Sequence, residues 1–433
     1  MQTPLLGVIL ALMGPAALQG HGNRPADLAG EWVLAFDLYG ETNHQRMTVE
    51  TTGDRITVAA WGLKLEGGIR DGKLELKRSG KDGPPVSMSG TVERDGMVGD
   101  FSIEDLKGKW KATRIPIRPP SAPREHVFEP KEFHRVFSGA IPPVLHIHPG
   151  DTVKTWSVDA GGVDAQGVRR SLGGNPQTGP FYIEGSLPGD TLVVKLKRIR
   201  LNRDTAFSTG SLAASAITPG YVRNRKPVEN FDSNWVLDRE KGVARLAKPT
   251  EALKNYTVPL QPILGCVGVA PPGHMVFRSG YPGSFGGNMD YNRLREGVTL
   301  YLPVSQKGAL LFMGDGHAAQ GDGELTGNAL ETSMDIEFSV DVIAGKSLAM
   351  PRAEDDEYLM AMGIAGSLTE AFQIATTMMA RWLEDSYKLN AAEVASVLGT
   401  AMRYDIAEVV DPHVNVVARV PKKALAQIHK AGQ

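Results

Sequence analysis

The chain has a single cysteine, Cys266, among its 433 residues, so an internal disulfide is impossible. Its stability must therefore come from the hydrophobic core, even if the protein is exported. Residues 263–269 around Cys266 are apolar and supply no base or positive charge. Cys266 is thus predicted to be a small buried hydrophobic residue, and a mechanism that needs an activated cysteine is not expected.

An excess of charge of one sign is also lacking. Lys and Arg number 47 and Asp and Glu 49, which gives a net charge of −2. We therefore expect no nucleic-acid partner and no attraction to an anionic membrane. Long apolar runs are scarce too, and none reaches the roughly 20 residues needed to span a bilayer. No integral membrane segment is predicted.

The N-terminal residues have the pattern of a secretory signal peptide, which we predict over residues 1–22. An apolar run at 5–13 is followed by small residues at Ala16, Ala17 and Gly20. The usual positive residues before the run are missing, so an uncleaved anchor or a disordered tail is the alternative. The pattern predicts an exported protein, either periplasmic or secreted.

Glycine and proline are abundant, at 49 and 28 residues, which indicates many tight turns and a mainly β fold of the α+β type. Residues 23–115 alternate apolar and polar positions between turn dipeptides such as Asp71-Gly72 and Asp95-Gly96. This pattern predicts a small accessory domain, an antiparallel meander or partial barrel of five to eight strands. It contains no cluster of titratable residues.

A proline-rich linker, residues 116–124, should separate this domain from a second, β-rich domain with C-terminal helices at 125–433. Residues 203–257 have no clear periodicity and are predicted to form an irregular excursion that lines or covers a site. Helices are predicted at 367–388, where Ser367 and Glu370 form a capping box, and at 391–398, where Asn390 is the cap and Gly399 ends the helix.

The densest polar cluster of the chain lies at residues 314–324, where glycines separate Asp315, His317, Asp322 and Glu324. In an extended segment Asp315 and His317 would lie on one face. Mixed nitrogen and oxygen ligands suit zinc, whereas oxygen-only sets suit calcium or magnesium. The cluster indicates either a divalent metal site or a surface turn that its carboxylates stabilise.

A second glycine-rich segment, residues 283–290, ends in Asn288 and Asp290. A phosphate-binding loop is not expected, because neither a Lys-Ser/Thr pair nor a nucleotide-binding strand-to-helix unit follows. The two side chains are better interpreted as polar groups that the glycines deliver into a pocket.

Five segments, in collinear order, resemble the acetamidase/formamidase family over about 300 residues, excluding residues 1–120. They are Pro149-Gly150-Asp151-Thr152-Val153, Asn175-Pro176-Gln177-Thr178-Gly179-Pro180, residues 265–271, Gly287-Asn288-Met289-Asp290, and residues 297–324. The resemblance implies a β-rich, oligomeric enzyme that hydrolyses a short linear amide, such as formamide or acetamide, with a bound divalent metal. Zinc is the first metal expected and calcium the second. The enzyme is expected to form a homo-oligomer.

Within that expectation, each candidate residue is given one of three roles. Asp290, His317 and Glu324 are the predicted metal ligands. Glu331, Asp315 and Glu184 are the predicted catalytic carboxylates, of which Glu331 is also a possible ligand. Asn288, Asp159 and His274 are predicted to bind the substrate. For the carboxylates, hydrogen bonds that stabilise turns are the alternative.

The sequence also allows other sites and functions. His146 and His148 alternate on one predicted strand and so form a weaker candidate metal pair. Serine chemistry is not supported, since the chain has no Gly-x-Ser-x-Gly motif. The alternatives to a linear-amide hydrolase are a non-catalytic binding protein with the same fold and a hydrolase of a cyclic amide.

Overall fold

The computed structural model describes residues 25–80, 83–93, 95–115, 123–226 and 231–428. The predicted signal peptide, most of the predicted linker and the last five residues lie outside the described part of the chain. The chain divides into two compact units, Met1–Thr42 with Met47–Arg114, and Asn43–Arg46 with Ile115–Gln433.

The first unit is a closed antiparallel barrel of eight strands in sequential order, in which the first strand pairs with the last. The strands are β1 (Gly30–Leu38), β2 (Glu41–Thr52), β3 (Arg55–Ala60), β4 (Leu63–Arg70), β5 (Lys73–Arg78), β6 (Val86–Glu93), β7 (Gly96–Ile103) and β8 (Leu106–Arg114). A short 3-10 helix, Pro25–Leu28, precedes them. The sequence predicted five to eight strands in a meander or partial barrel. The structure has eight strands, and the barrel is fully closed.

Alternation in the sequence explains why these strands form. In β3 and β5 every second side chain is buried, and those side chains join the barrel core. At the predicted Asp71-Gly72 turn both residues have positive φ, 50° and 77°, as a two-residue hairpin requires.

The second unit contains two large sheets and a two-stranded ribbon. Its strands are β9 (Glu125–Val127), β10 (Val136–Ser138), β11 (Leu145–Ile147), β12 (Thr152–Ser157), β13 (Gln177–Ile183), β14 (Thr191–Leu201), β15 (Thr205–Phe207), β16 (Asn234–Asp238), β17 (Val243–Leu246), β18 (Val258–Pro259), β19 (Ile263–Val269), β20 (Val276–Arg278), β21 (Pro282–Gly283), β22 (Gly286–Asn288), β23 (Thr299–Pro303), β24 (Leu311–His317), β25 (Glu331–Thr332), β26 (Met334–Ile343), β27 (Arg352–Glu354), β28 (Tyr358–Ala365), β29 (Arg403–Glu408) and β30 (Val414–Pro421).

The nine-stranded sheet has the order β29-β30-β28-β27-β23-β14-β26-β12-β9. The eleven-stranded sheet follows the path β18-β17-β16-β15-β25-β24-β19-β22-β21, and β13 joins β24 to β11. Side chains from both sheets form one hydrophobic core. Its central strands β19 and β24 are buried along their whole length, so polar side chains on them are withdrawn from water.

The helices are α1 (Pro219–Asn224), α2 (Leu368–Tyr387), α3 (Ala391–Ala401) and α4 (Lys422–Leu425), with 3-10 turns at Ala214–Ala216 and Glu251–Leu253. Both predicted N-caps are present: Ser367 accepts from the backbone of Glu370, and Asn390 accepts from the first turn of α3. The full capping box is formed by Asn390 and Glu393 and not by the predicted pair, Ser367 and Glu370. The predicted end of the second helix is wrong, because α3 continues past Gly399. Glycine weakens a helix without necessarily ending it.

The irregular interpretation of residues 203–257 is also corrected, since this segment contains β15, β16, β17 and α1. These strands have three to five residues, too few for a reliable alternation signal. They extend the eleven-stranded sheet beyond β25, beside the glycine-rich acidic segment.

The mainly β fold class is confirmed by this architecture. Among the helices of the described residues, none has the length and apolar character that a membrane crossing demands. Export and homo-oligomerisation stay predictions from the sequence.

Candidate metal centre and adjoining cavity

Polar side chains from β24, β25 and the end of β22 come together across four adjacent strands of the eleven-stranded sheet. β22 pairs with β19, β19 with β24, and β24 with β25. His317 at the end of β24 lies opposite Glu331 on β25. The backbone of Asp290, just after β22, donates to the carbonyl of Gly265 on β19. The two glycine-rich segments, separate in sequence, therefore meet through the sheet register.

His317 is the centre of this cluster. Its Nε2 lies 3.4 Å from Oε2 of Glu331, 3.5 Å from Oδ2 of Asp315 and 3.9 Å from Oδ1 of Asp290. All four side chains are at most 1% exposed, and Glu324, also in the cluster, is 7% exposed. Burial of so many ionisable groups is costly unless they are paired or hold an ion.

A glycine makes room for the cluster. A Cβ atom added at Gly265 would come 2.7 Å from Cε1 of His317 and 3.0 Å from Oδ2 of Asp315, and closer still to Oδ1 of Asp290. Only a residue without a side chain leaves this space open between the carboxylates.

Several residues of the cluster have a left-handed backbone. The φ angles are 38° at Asp290, 59° at Asp315, 45° at Glu324 and 52° at the neighbouring Asn175. Non-glycine residues rarely adopt this conformation, and where they do it concentrates at functional sites. The local backbone is thus bent in a way that directs these side chains inward.

A layer of amides orients the carboxylates. Nδ2 of Asn175 donates to Oδ2 of Asp315 and to Oδ1 of Asn288, at 2.9 Å each. Nδ2 of Asn288 in turn donates to Asp290 and, at 2.8 Å, to Asp411. Such second-layer hydrogen bonds fix the geometry of ligands around a metal.

The protonation of the cluster is strongly perturbed. Burial raises the pKa of Asp290 and of Glu324 well above the usual range for carboxyls, and neighbouring carboxylates add to the effect. Burial likewise raises the pKa of Glu331. For His317, burial lowers the pKa, but Glu331 and Asp315 more than offset this and the net shift is upward. Burial and the mutual repulsion of the carboxylates thus oppose full ionisation of these carboxyl groups.

The residues present fit a divalent cation. Four buried atoms of the cluster have no hydrogen-bond partner among the described residues: Oδ1 of Asp290, Oδ1 of Asp315, Nε2 of His317 and Oε2 of Glu331. Two triads offer ligand atoms that all lie within 4.8 Å of one another, Asp290-His317-Glu324 and Asp315-His317-Glu331. One imidazole nitrogen with carboxylate oxygens is a donor set suited to zinc or a similar ion.

A cavity of about 470 Å³ adjoins this cluster. Glu324 and Gln320 border it on the side of His317, and Trp235, Tyr256 and Leu325 lie among its other lining residues. Trp235 and Tyr256 belong to the segment at 203–257 that was expected to line or cover a site.

Three predicted site residues lie outside the cluster. Oε1 of Glu184 accepts a hydrogen bond of 2.7 Å from Nδ1 of the exposed His146. Asp159 is buried in a salt bridge of 2.5 Å with Arg203. His274 is exposed in a turn and does not line the cavity. His146 and His148 belong to neither of the two groups of converging ligand atoms among the described residues. The ring of His146 stacks on Tyr182, and its Nδ1 pairs with Glu184.

The sequence predictions missed Gln320, Asp411 and Glu408. Gln320 bonds His317, and Asp411 bonds Asn288. Burial raises the pKa of Asp411 to about 7 and that of Glu408, helped by the charge of Asp411, to about 8. Glu408 ends β29 and Asp411 follows it, far along the chain, so no local motif connects them with residues 283–324.

Fold and cluster together define a class, a β-rich protein with a buried candidate metal centre of one histidine and several carboxylates. Residues 277–424 match the model of the acetamidase/formamidase family. The resemblance indicated by the sequence motifs is thereby confirmed.

Known proteins with similar names share this resemblance. A formamidase from Methylophilus methylotrophus is 24% identical over 243 residues, which cover 45% of this chain and 60% of that relative. An acetamidase structure from Yersinia enterocolitica is 28% identical with a TM-score of 0.61, covering 71% of this chain and 95% of that one. The structure of a predicted acetamidase/formamidase from Thermoanaerobacter tengcongensis is 27% identical with a TM-score of 0.60, covering 71% of this chain and 99% of that one.

Proposed function

We propose that the second unit hydrolyses the C–N bond of a carboxamide to a carboxylic acid and ammonia, with the assistance of a divalent metal ion. The observation that carries this proposal is the convergence of three buried carboxylates within 3.9 Å of Nε2 of His317. The family match supports amide hydrolysis as the class of reaction.

His317, Asp290, Asp315 and Glu331 would hold the ion, because each has a buried atom without a protein partner. When bound, a zinc-like ion supplies a Lewis acid that polarises a carbonyl oxygen and lowers the pKa of water. Zinc is the first candidate and calcium the second, since one ligand is a nitrogen and the others are oxygens.

Glu324 is proposed to carry the proton, because it is the carboxylate of the cluster that borders the cavity. Burial raises its pKa above the usual range for a carboxyl, which favours a group that can hold a proton as well as release it. Its carboxylate would accept a proton from the attacking water and deliver it to the leaving nitrogen. The carbonyl carbon then gains the hydroxyl oxygen, the C–N bond breaks, and ammonia departs. This assignment exchanges the roles predicted for Glu324 and Glu331 from the sequence, and it makes Asp315, predicted to be catalytic, a ligand.

Formamide and acetamide are the first substrates to test, followed by larger linear amides. The purified full chain would be analysed for bound metal, and ammonia release would be measured before and after treatment with a chelator. We expect a divalent metal and a turnover that chelation removes and metal addition restores. No metal and no turnover across the amide panel would overturn the proposal.

Two substitutions separate catalysis from folding. Glu324→Gln removes the proton-carrying group while keeping the side-chain shape, so turnover should fall by about 10²-fold or more. Glu240→Gln is the control, because Glu240 is an exposed carboxylate outside the cluster. Unchanged turnover in Glu324→Gln would contradict the assigned role. A folded wild-type protein that turns over none of the amides would instead favour a non-catalytic binding protein.

A further inference from the structure

Building on the proposed function, we infer that the natural amide bears an uncharged, apolar substituent the size of an aromatic ring, and that this group binds in the cavity beside Glu324. The cavity's size, walls, charge and position each support this assignment of the substrate class.

The size of the cavity exceeds what the smallest amides need. Its volume of about 470 Å³ lies in the range typical of sites for drug-sized ligands, roughly 300–1,000 Å³. Acetamide has four non-hydrogen atoms and formamide three. Neither would displace more than a fraction of the water in this space, so neither would be held by its walls.

Aromatic and aliphatic side chains form a large part of the walls. The rings of Trp235 and Tyr256 lie 6.4 Å apart with an interplanar angle of 63°, and Val258, Pro259 and Leu325 complete the apolar surface. Nε1 of Trp235 donates to Oγ of Ser208 at 3.0 Å, so the polar atom of the indole is already paired and its exposed part offers apolar contact. A flat ring can pack against two such faces in an edge-to-face or offset arrangement.

The apolar side chains at this place remain open to water. Tyr256 is 50% exposed and Leu325 is 46% exposed. A ligand that covers them would remove apolar surface from water, which is favourable in proportion to the area buried.

The charges of the walls argue against an anionic substituent. The ionisable groups among the described lining residues are Tyr256, Asp322 and Glu324, and none is basic. Asp322 already accepts a hydrogen bond of 2.7 Å from Asn292. A carboxylate or phosphate on the substrate would lie beside the carboxylate of Asp322 and would meet no basic side chain among these residues.

The position of the cavity ties it to the reaction. Gln320 and Glu324 line its inner side, and Oε1 of Gln320 lies 2.9 Å from Nδ1 of His317. A substituent that occupies the cavity therefore places the attached amide group beside the proposed proton carrier.

The test compares phenylacetamide with acetamide, and wild type with Tyr256→Ala. We expect kcat/KM for phenylacetamide to exceed that for acetamide by at least about tenfold, since burying several carbon atoms discriminates by that factor or more. Tyr256→Ala should lower kcat/KM for phenylacetamide severalfold, mainly through KM, and leave that for acetamide within about twofold. Tyr221→Ala is the matched control, because Tyr221 is 57% exposed and does not line this cavity.

A binding measurement keeps this inference separate from the proposed reaction. Phenylacetamide would be titrated into wild type and Tyr256→Ala in the presence of a chelator, with tryptophan fluorescence as the readout. If acetamide is hydrolysed but phenylacetamide is neither bound nor preferred, the substrate inference fails while the hydrolase stands. A preference for an amide bearing an amine or a carboxylate would also overturn it. Saturable binding, lost in Tyr256→Ala but without turnover of any amide, would instead refute the hydrolase and retain a ring-binding cavity.

Discussion

Oε1 of Gln320 lies 2.9 Å from Nδ1 of His317, and this contact sets which nitrogen of the imidazole faces the carboxylates. The amide nitrogen of Gln320 donates to the carbonyl oxygens of Asp290, at 2.5 Å, and Ala407, at 3.2 Å. Because the amide nitrogen is committed to two acceptors, the amide oxygen must face His317. In the neutral imidazole Nδ1 then carries the hydrogen and Nε2 presents its lone pair to the cluster.

Gln320→Leu should weaken metal binding. The substitution removes the acceptor for Nδ1 and frees the imidazole to rotate or change tautomer. Loss of an outer partner of a ligating histidine typically costs 10–100-fold in metal affinity or activity, and we expect a loss of about that size here. Competition with a metal-binding dye measures the affinity.

Gln166→Leu provides a comparison, because Gln166 is an exposed glutamine away from the cluster. Its metal affinity should equal that of wild type. Equal affinities for wild type and Gln320→Leu, with both proteins folded, would show that Gln320 does not position His317.

Gly265→Ala should destroy the metal centre through one added methyl group. The new Cβ would overlap Oδ1 of Asp290 and press on Cε1 of His317 at 2.7 Å, so these side chains must separate. We expect metal binding and turnover to fall by 10²-fold or more, because small displacements of reacting groups have effects of this order. Metal titration and ammonia release measure both.

Gly366→Ala is the control for that substitution. A Cβ at Gly366 meets nothing within 4 Å, and its φ lies outside the left-handed region. It should bind metal like wild type. Retention of metal by Gly265→Ala would mean that the cluster can adjust to the methyl group and is not built around the glycine.

Patterns among neighbouring residues were enough to predict much of the fold and part of the candidate site. The Asp71-Gly72 turn, the caps at Ser367 and Asn390, and burial of Cys266 follow from neighbouring residues, and each is present. The glycine-framed acids were also recognisable as a cluster from sequence, because their spacing is short and their composition unusual.

Partners that depend on strand register could not be obtained in this way. Glu184 meets His146, which lies 38 residues earlier in the chain, because β11 and β13 pair in parallel. Asp411 reaches Asn288 across 123 residues. Neither relationship leaves a periodic signal in the sequence, and the left-handed φ angles of Asp290 and Asp315 are likewise set by the surrounding sheet.

Gly399→Ala should stabilise the protein. Gly399 is exposed inside α3, has no positive φ, and a Cβ there meets nothing within 4 Å. Alanine in an exposed helix interior is more favourable than glycine by about 0.5–1 kcal/mol, partly because it restricts the unfolded chain. Chemical denaturation would measure the free energy of unfolding, with Gly366→Ala, outside any helix, as the comparison. A decrease in stability would mean that this glycine has a packing role that its surroundings do not reveal.

Glu408 should make the protein less stable as the pH rises. Its side chain is fully buried, Oε2 accepts from the backbone of Val410 and Asp411, and burial together with the charge of Asp411 raises its pKa from the usual 4.5 to about 8. Above pH 4.5 the unfolded chain loses this proton, whereas the folded protein keeps it until about pH 8. The folded state is therefore favoured most below pH 4.5, and its advantage declines as the pH rises through the window from 4.5 to 8.

Glu408→Gln removes this titration while keeping an oxygen that can accept the same hydrogen bonds. Denaturation at pH 5, 6.5 and 8, with a chelator present, should show a steeper decline in wild type than in the variant. One group changes the slope by at most about 1.4 kcal/mol per pH unit. Part of the decline should remain in Glu408→Gln, because the pKa of Asp411 is also raised, to about 7. The exposed Glu240→Gln variant should keep the wild-type slope. Identical slopes in wild type and Glu408→Gln would mean that Glu408 is already ionised in the folded protein, and that a positive group balances it there.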